Sequence, residues 1–262
     1  MNVLFLGYGK MGQALGESWL KQKLVTQLVA VDPQLSPNQH SYFNDIQDVP
    51  QQAFDLVVLA VKPNSAETVL KAINPALLQG TCLISIMAGV STASLTGMLG
   101  KTTIPVVRVM PNTPVLAQAG CCVLYTASTL ADSLKDKLNQ LFSTVGYCNW
   151  LEQEQDLHAV TALSGSGPAY IHLFTEALQN AGIRLGLAPE LARDLAKHTA
   201  YGAALLQTTS EIDFVQLRKN VTSPNGTTHA AIETFEKESA LRNLVDDALQ
   251  AALDRSIELS RI

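Results

Sequence analysis

Gly7-Tyr8-Gly9-Lys10-Met11-Gly12 is a complete GxGxxG directly after an apolar run that starts at Val3. Between a strand and a helix each glycine has a separate task. The first makes a tight turn, the second lets backbone approach a pyrophosphate, and the third allows close helix–strand packing. Phosphates then sit against free N–H groups at the positive end of a helix. Asp32 lies twenty residues beyond Gly12, where a carboxylate can accept hydrogen bonds from adenosine ribose hydroxyls. It would repel a 2′-phosphate, and Pro33-Gln34-Leu35-Ser36 offers no Arg or Lys to bind one, which favours NAD over NADP. Asp32 could equally serve only to close a turn with Pro33.

Four more segments combine small, hydroxyl and rigid residues. Ala60-Val61-Lys62-Pro63 and Arg108-Val109-Met110-Pro111-Asn112-Thr113-Pro114 each end an apolar run, as rigid loops over a ligand crevice or as plain proline-stopped strands. Ser164-Gly165-Ser166-Gly167-Pro168 breaks a helical pattern and permits close approach by a ligand or by another helix. Val221-Thr222-Ser223-Pro224-Asn225-Gly226-Thr227-Thr228 is the richest in hydroxyls. Ser-Pro-Asn-Gly is a turn by composition, and the following helix start could hold a small carboxylate, although an ordinary capped turn reads the same way. No HExxH, Ser/His/Asp order or carboxylate pair stands out. His158, His172, His198 and His229 fall in helical stretches and read as packing or surface residues.

The elements that must position these residues follow from periodicity. Val3–Leu6, Leu28–Val31, Leu56–Val61, Cys82–Ile86 and Val106–Met110 read as strands buried on both faces. Helical stretches at Met11–Leu20, Ser65–Ile73 and Ser128–Phe142 alternate with them, and a short strand is predicted near Tyr147–Leu151. Beyond about residue 155 the period is helical, over Ala169–Asn180, Pro189–Gln207 and the stripe Leu241, Leu244, Val245, Ala248, Leu249, Ala252, Leu253, Ile257. The fold class is therefore α/β, a Rossmann-type doubly wound sheet over residues 1–153 followed by an all-helical part over 154–262. Glu152, Glu154 and Asp156 mark the join.

Composition agrees. Only 16% of the 262 residues are charged and 47% are hydrophobic, which excludes a disordered chain. The net charge of −5 argues against a nucleic-acid binder. Residues 1–150 carry nine basic and eight acidic side chains, whereas residues 151–262 carry nine and fifteen, so the first part is the drier one. Cys82, Cys121, Cys122 and Cys148 show neither CxxC nor metal-ligand spacing, and no signal or membrane segment is present, so a cytoplasmic protein without a metal is expected.

The glycine loop with Met11, AVKP at 60–63, RVMPNTP at 108–114, ALSGSGPAY at 162–170 and VTSPNGTT at 221–228 together resemble pyrroline-5-carboxylate reductases over almost the whole chain. The resemblance implies reduction of the cyclic imine 1-pyrroline-5-carboxylate to L-proline, the last step of proline biosynthesis, with NADPH or NADH. It implies a helical dimerisation domain and a homo-oligomer built from dimers, some of them decamers. Cofactor residues would be Leu6, Gly7, Gly9, Lys10, Met11, Gly12, Asp32, Ala60, Val61, Lys62, Pro63 and Asn112. Ser223, Asn225, Gly226 and Thr227, with Glu211 near the substrate nitrogen, would bind substrate, and Thr228 would be the catalytic hydroxyl. Three departures stand out: Asn225 for a glycine, Lys219 for an acid, and only 23 residues between Asp32 and Leu56, which implies a shortened second helix and third strand. The other readings are a related imine or hydroxyacid reductase using a lysine such as Lys197 as acid, and a non-catalytic dinucleotide-binding regulator.

Overall fold

The fold is described from a computed structural model over residues 1–36 and 41–261. Its strands are β1 (Asn2–Leu6), β2 (Gln27–Val31), β3 (Tyr42–Phe43), β4 (Leu56–Leu59), β5 (Cys82–Ser85), β6 (Val106–Pro111), β7 (Gly120–Tyr125) and β8 (Gly146–Trp150). They form one sheet in the order β3-β2-β1-β4-β5-β6-β7-β8, parallel except where β7 runs against β6. Helices α1 (Lys10–Lys21), α2 (Ala66–Ala72), α3 (Thr92–Leu99) and α4 (Asp132–Ser143) lie between the strands in sequence.

Alternation along β1 shows why the runs are apolar throughout. Val3 and Phe5 join a core with Leu15 and Trp19 of α1 and Leu138 and Phe142 of α4. Leu4 and Leu6 join a second core with Leu70 of α2 and Leu95 of α3. Both faces of β1 are therefore covered, which is why the strand is apolar beyond Asn2. In the first core Trp19 Nε1 donates to the Leu141 carbonyl at 2.9 Å.

Periodicity did not anticipate the strands β3 and β7, the helix α3 or the short helix Phe214–Asn220. Ser91 caps α3, its side chain accepting the Ser94 N–H. The short segment after Asp32 contains, among the described residues, no α-helix between β2 and β4. The two-residue β3 and a 3-10 turn at Ile46–Asp48 take that place.

The chain divides into two compact units, Met1–Ser166 with Ala252–Ile262, and Gly167–Ala251. In the first, α5 (Asp156–Val160) runs into a π-helical turn at Thr161–Gly165, with Ser166 N–H donating to the Thr161 carbonyl at 2.9 Å. The glycine-serine segment thus widens the helix where a break was expected. The second unit contains α6 (Gly167–Arg184), α7 (Pro189–Thr209), α8 (Phe214–Asn220), α9 (Thr227–Glu236) and most of α10 (Ala240–Leu259). Leu173, Leu206, Phe214 and Leu244 are exposed on it. Among the described residues, no helix is long and apolar enough to cross a membrane.

The first unit is tied by a buried ionic cluster. Arg108 on β6, whose side chain is 9% exposed, donates Nη1 to Glu154 Oε1 at 2.8 Å. The same carboxylate accepts the Thr92 N–H (2.7 Å) and hydroxyl (2.8 Å) at the first residue of α3. Burial alone would raise the Glu154 pKa, but the hydrogen bonds from Arg108 and Thr92 outweigh it and hold the carboxyl below its ordinary value. A folded-state pKa below the unfolded one gives stability above the unfolded value that disappears as pH falls through the folded one. Glu154→Gln is expected to cost about 2 kcal/mol at pH 7, since Arg108 stays buried without its counter-ion. In urea titrations the variant should also lose less stability than the wild type between pH 5 and 3 (roughly the ordinary carboxyl range and the pH units just below it); parallel curves would refute this role.

Candidate active site

The glycine loop is shaped by collision. Gly7 has φ +88°, and a Cβ there would lie 2.6 Å from the Ala60 carbonyl oxygen. Its N–H donates to the Val31 carbonyl at 2.8 Å, so the ends of β1, β2 and β4 meet at this residue. Gly9 is the N-cap of α1 and has no side-chain cap, while a Cβ on it would meet nothing within 4 Å. The helix's hydrogen bonding starts with Gln13 N–H to the Gly9 carbonyl, which leaves the first-turn amides facing outward for an anion. Gly12 sits where a Cβ would be 3.1 Å from the Gly7 carbonyl oxygen. These features fit the diphosphate of a dinucleotide.

A cleft of about 510 Å³ opens beside the loop, lined by Leu6, Gly7, Gly9, Asp32, Ala60, Val61 and Lys62 among others. Asp32 accepts the Tyr8 N–H on Oδ2 and the Gln34 N–H on Oδ1, both at 2.9 Å. It therefore closes the turn and also lines the cleft, so its two readings hold together. Asn44, Asp45, Thr68 and Val69 line the cleft as well and were not anticipated. The one signal for the first two was their position just after the short apolar pair Tyr42-Phe43. Lys10, Met11, Gly12 and Pro63 do not line it. Asn112 does not either: it is buried, its Oδ1 accepts the Cys121 N–H at 2.8 Å, and its Nδ2 donates to the carbonyl (3.2 Å) and hydroxyl (3.3 Å) of Ser164. It braces the π-helical turn.

The second group of residues lies in the other compact unit. Gly226 N–H donates to the Ser223 carbonyl at 3.0 Å, closing the turn Ser223–Gly226, and Asn225 takes φ +60° within it. Asparagine reaches this left-handed region at little cost, so it can stand where a glycine would. Gly226 is the N-cap of α9 without a side-chain cap, and Ala230 N–H donates to its carbonyl at 3.2 Å. The amides of Thr227, Thr228 and His229 thus head the helix, flanked by the exposed Ser223 and Thr227 and the half-buried Thr228. Asp213 caps the preceding α8 through the Gln216 N–H at 2.8 Å, and Glu211 is exposed two residues before it. Arg218 Nη1 and Arg242 Nη2 both donate to Glu236 Oε1, at 2.9 and 2.6 Å, linking α8, the end of α9 and the start of α10.

Residues 154–259 match the family model for pyrroline-5-carboxylate reductase dimerisation, and residues 2–89 match that for NADP oxidoreductase, coenzyme F420-dependent. The pyrroline-5-carboxylate reductase of Pseudomonas aeruginosa is 40% identical over 98% of this chain and 96% of its own. The chain belongs to the pyrroline-5-carboxylate reductase family. The solved pyrroline-5-carboxylate reductase of Coxiella burnetii is 35% identical, with a TM-score of 0.89 over 99% of this chain and 98% of its own. The Plasmodium falciparum enzyme, solved with NADP bound, is 31% identical over 99% and 98% of the two chains, with a TM-score of 0.86.

Within this family member the loop's two leading glycines separate by physics. Gly7→Ala should cost about 2 kcal/mol or more, because the added Cβ meets backbone and φ is positive. Gly9→Ala should cost less than about 1 kcal/mol, because its Cβ enters open space at an N-cap. That open space is where a diphosphate would lie, so Gly9→Ala should still weaken dinucleotide binding. Denaturant unfolding and dinucleotide titration of both variants check this, and a Gly9→Ala protein that binds as the wild type does would remove Gly9 from the phosphate site.

Proposed function

We propose that this chain reduces 1-pyrroline-5-carboxylate to L-proline with NADPH or NADH, the last step of proline biosynthesis. The observation that carries the reading is the left-handed Ser223–Gly226 turn feeding the uncapped start of α9. Unpaired amides and hydroxyls at a helix N-terminus suit a small carboxylate. A cyclic imine carrying a carboxylate presents that anion next to the nitrogen to be reduced.

The chemistry asks the protein mainly for alignment. When bound, the nicotinamide supplies the hydride that reduces the imine carbon. Ser223 and the amides of Thr227 and Thr228 hold the carboxylate, with Asn225 and Gly226 setting the turn. The Thr228 hydroxyl hydrogen-bonds the ring nitrogen, which takes its proton from solvent, and Glu211 supports the nitrogen's positive charge. On the cofactor side, the loop from Leu6 to Gly12, with Lys10 and Met11 at the helix head, receives the diphosphate. Asp32 holds the ribose, and Ala60, Val61 and Lys62 form the opposite wall, with Pro63 starting the turn that follows and Asn112 bracing the π-helical turn.

Functionally, residues 1–153 bind the cofactor and 154–262 bind substrate and pair with a second copy. The exposed Leu173, Leu206, Phe214 and Leu244 support that pairing, since exposed apolar residues gathered on one helical unit mark an interface. A homo-oligomer built from dimers, in the cytoplasm and without nucleic-acid or membrane partners, completes the proposal. Substrate groups of one subunit then serve with the cofactor groups of another. The hydroxyacid-reductase reading is less well supported, because Lys197 on α7 is exposed and pairs with Asp194 at 3.2 Å. A non-catalytic regulator would have no use for the hydroxyl-rich turn.

Oxidation of NADH and of NADPH, each followed with pyrroline-5-carboxylate, tests the activity; no turnover with either from folded oligomer would sink it. Thr228→Val should lower kcat about 100-fold while cofactor affinity stays within about twofold. Unchanged turnover would strip Thr228 of its role.

A further inference from the structure

We infer that Asp32 makes this chain select NADH over NADPH, by holding the adenosine ribose hydroxyls and repelling a 2′-phosphate. The inference rests on the dinucleotide reading of the cleft given above. Asp32 lines that cleft at the end of β2. Each of its carboxylate oxygens accepts one backbone amide, from Tyr8 and from Gln34. A carboxylate oxygen has room for a second donor, so both remain able to accept a ribose hydroxyl.

Those amides also keep the carboxylate from turning aside. The turn itself is clamped: Asn44 Nδ2 donates to the carbonyls of Asp32 (3.2 Å), Pro33 (3.2 Å) and Leu35 (2.8 Å). Asp32 N–H donates to the Phe43 carbonyl at 3.0 Å, which locks the end of β2 to β3. A second carboxylate, Asp45, lines the same cleft and is held by the Gln47 N–H at 2.9 Å. Among the described lining residues the one cation is Lys62, which follows β4 and does not belong to the Asp32 turn. The sequence from Pro33 to His40 contains no Arg or Lys. A 2′-phosphate would therefore bring its negative charges to two fixed carboxylates with no arginine on the Asp32 turn to receive it. At separations of a few ångströms in a partly solvated cleft, that repulsion amounts to about tenfold in affinity or more.

The test is a calorimetric titration of the wild-type oligomer with NADH and with NADPH, in the absence of imine. NADH should bind at least about tenfold more tightly at low salt, and the gap should narrow at about 1 M salt as the repulsion is screened. The two ligands differ only at the 2′ position, so the ratio isolates that group. Equal or tighter binding of NADPH, for instance through Lys62, would overturn the inference, as would a gap that widens with salt. In the double variant Asp32→Ser, Gln34→Arg the preference should reverse, and a variant that still prefers NADH would overturn the assignment to Asp32. Should that variant fail to fold, competition by 5′-AMP against 2′,5′-ADP on the wild type reads the same pocket, with 5′-AMP expected to win. Selective NADH binding without turnover of pyrroline-5-carboxylate would sink the substrate reading and leave this one standing.

Discussion

The first unit is organised around one close approach, that of the Gly7 backbone to the Ala60 carbonyl. β1, β2 and β4 are adjacent parallel strands whose C-terminal ends must converge there, and any side chain at Gly7 would separate them. Because the chain turns so sharply, Tyr8 N–H reaches the Asp32 carboxylate, which lines the same cleft as Gly7 and Gly9. The proposed phosphate and ribose sites are thus consequences of a single packing constraint. The switch in strand order between β1 and β4 places the crevice where open parallel sheets bind ligands.

The second unit is held differently. Its helices bury little within one chain: among the described residues of α6 to α9, Ala192 and Ala196 alone among the hydrophobic residues are buried. Large side chains such as Leu206 and Phe214 stay exposed, while ion pairs such as Arg218–Glu236 join helix ends. Burial of apolar area is the main force available to stabilise such helices. A unit of this composition needs a partner surface, which is what the family's dimerisation model describes for the matched residues. The excess acids of residues 151–262 remain compatible with this, because charge and apolar stripes occupy different helix faces.

The parallel core was legible in the sequence because two-faced burial leaves an unambiguous trace, as in Val3–Leu6 and Leu56–Leu59. β7 was not, because its Gly-Cys-Cys start lacks the aliphatic run that marks the other strands. The π-helical turn has no periodic signature either: it widens one hydrogen-bonded ring, closed by Ser166 N–H on the Thr161 carbonyl. Asn112 shows the limit at the site. Its residue type suits a ligand loop, but the partners of a buried amide depend on what the fold brings near it, here Cys121 and Ser164. Glu154 is the converse case, an acid that in the sequence only marked the join between the two parts and proved to be the counter-ion of buried Arg108.

Tyr8 joins these levels. It occupies a variable position of the glycine motif, yet it is 3% exposed and packs edge-on against Phe5 at 5.2 Å. Its hydroxyl is buried without a hydrogen-bond partner among the described residues, and burial pushes its pKa far up, so it stays protonated. An unpaired buried hydroxyl costs about 1–3 kcal/mol, which the ring's burial against β1 and α1 must offset. A Cβ on Gly16 would collide with that hydroxyl at 2.7 Å, so ring and helix fit only because residue 16 is glycine. The ring therefore anchors the glycine loop in the core from below. With the Tyr8 side chain fixed, its N–H is fixed too, and so is the Asp32 carboxylate that it meets. The loop's capacity to bind is thus set before any ligand arrives, which lowers the ordering cost of binding.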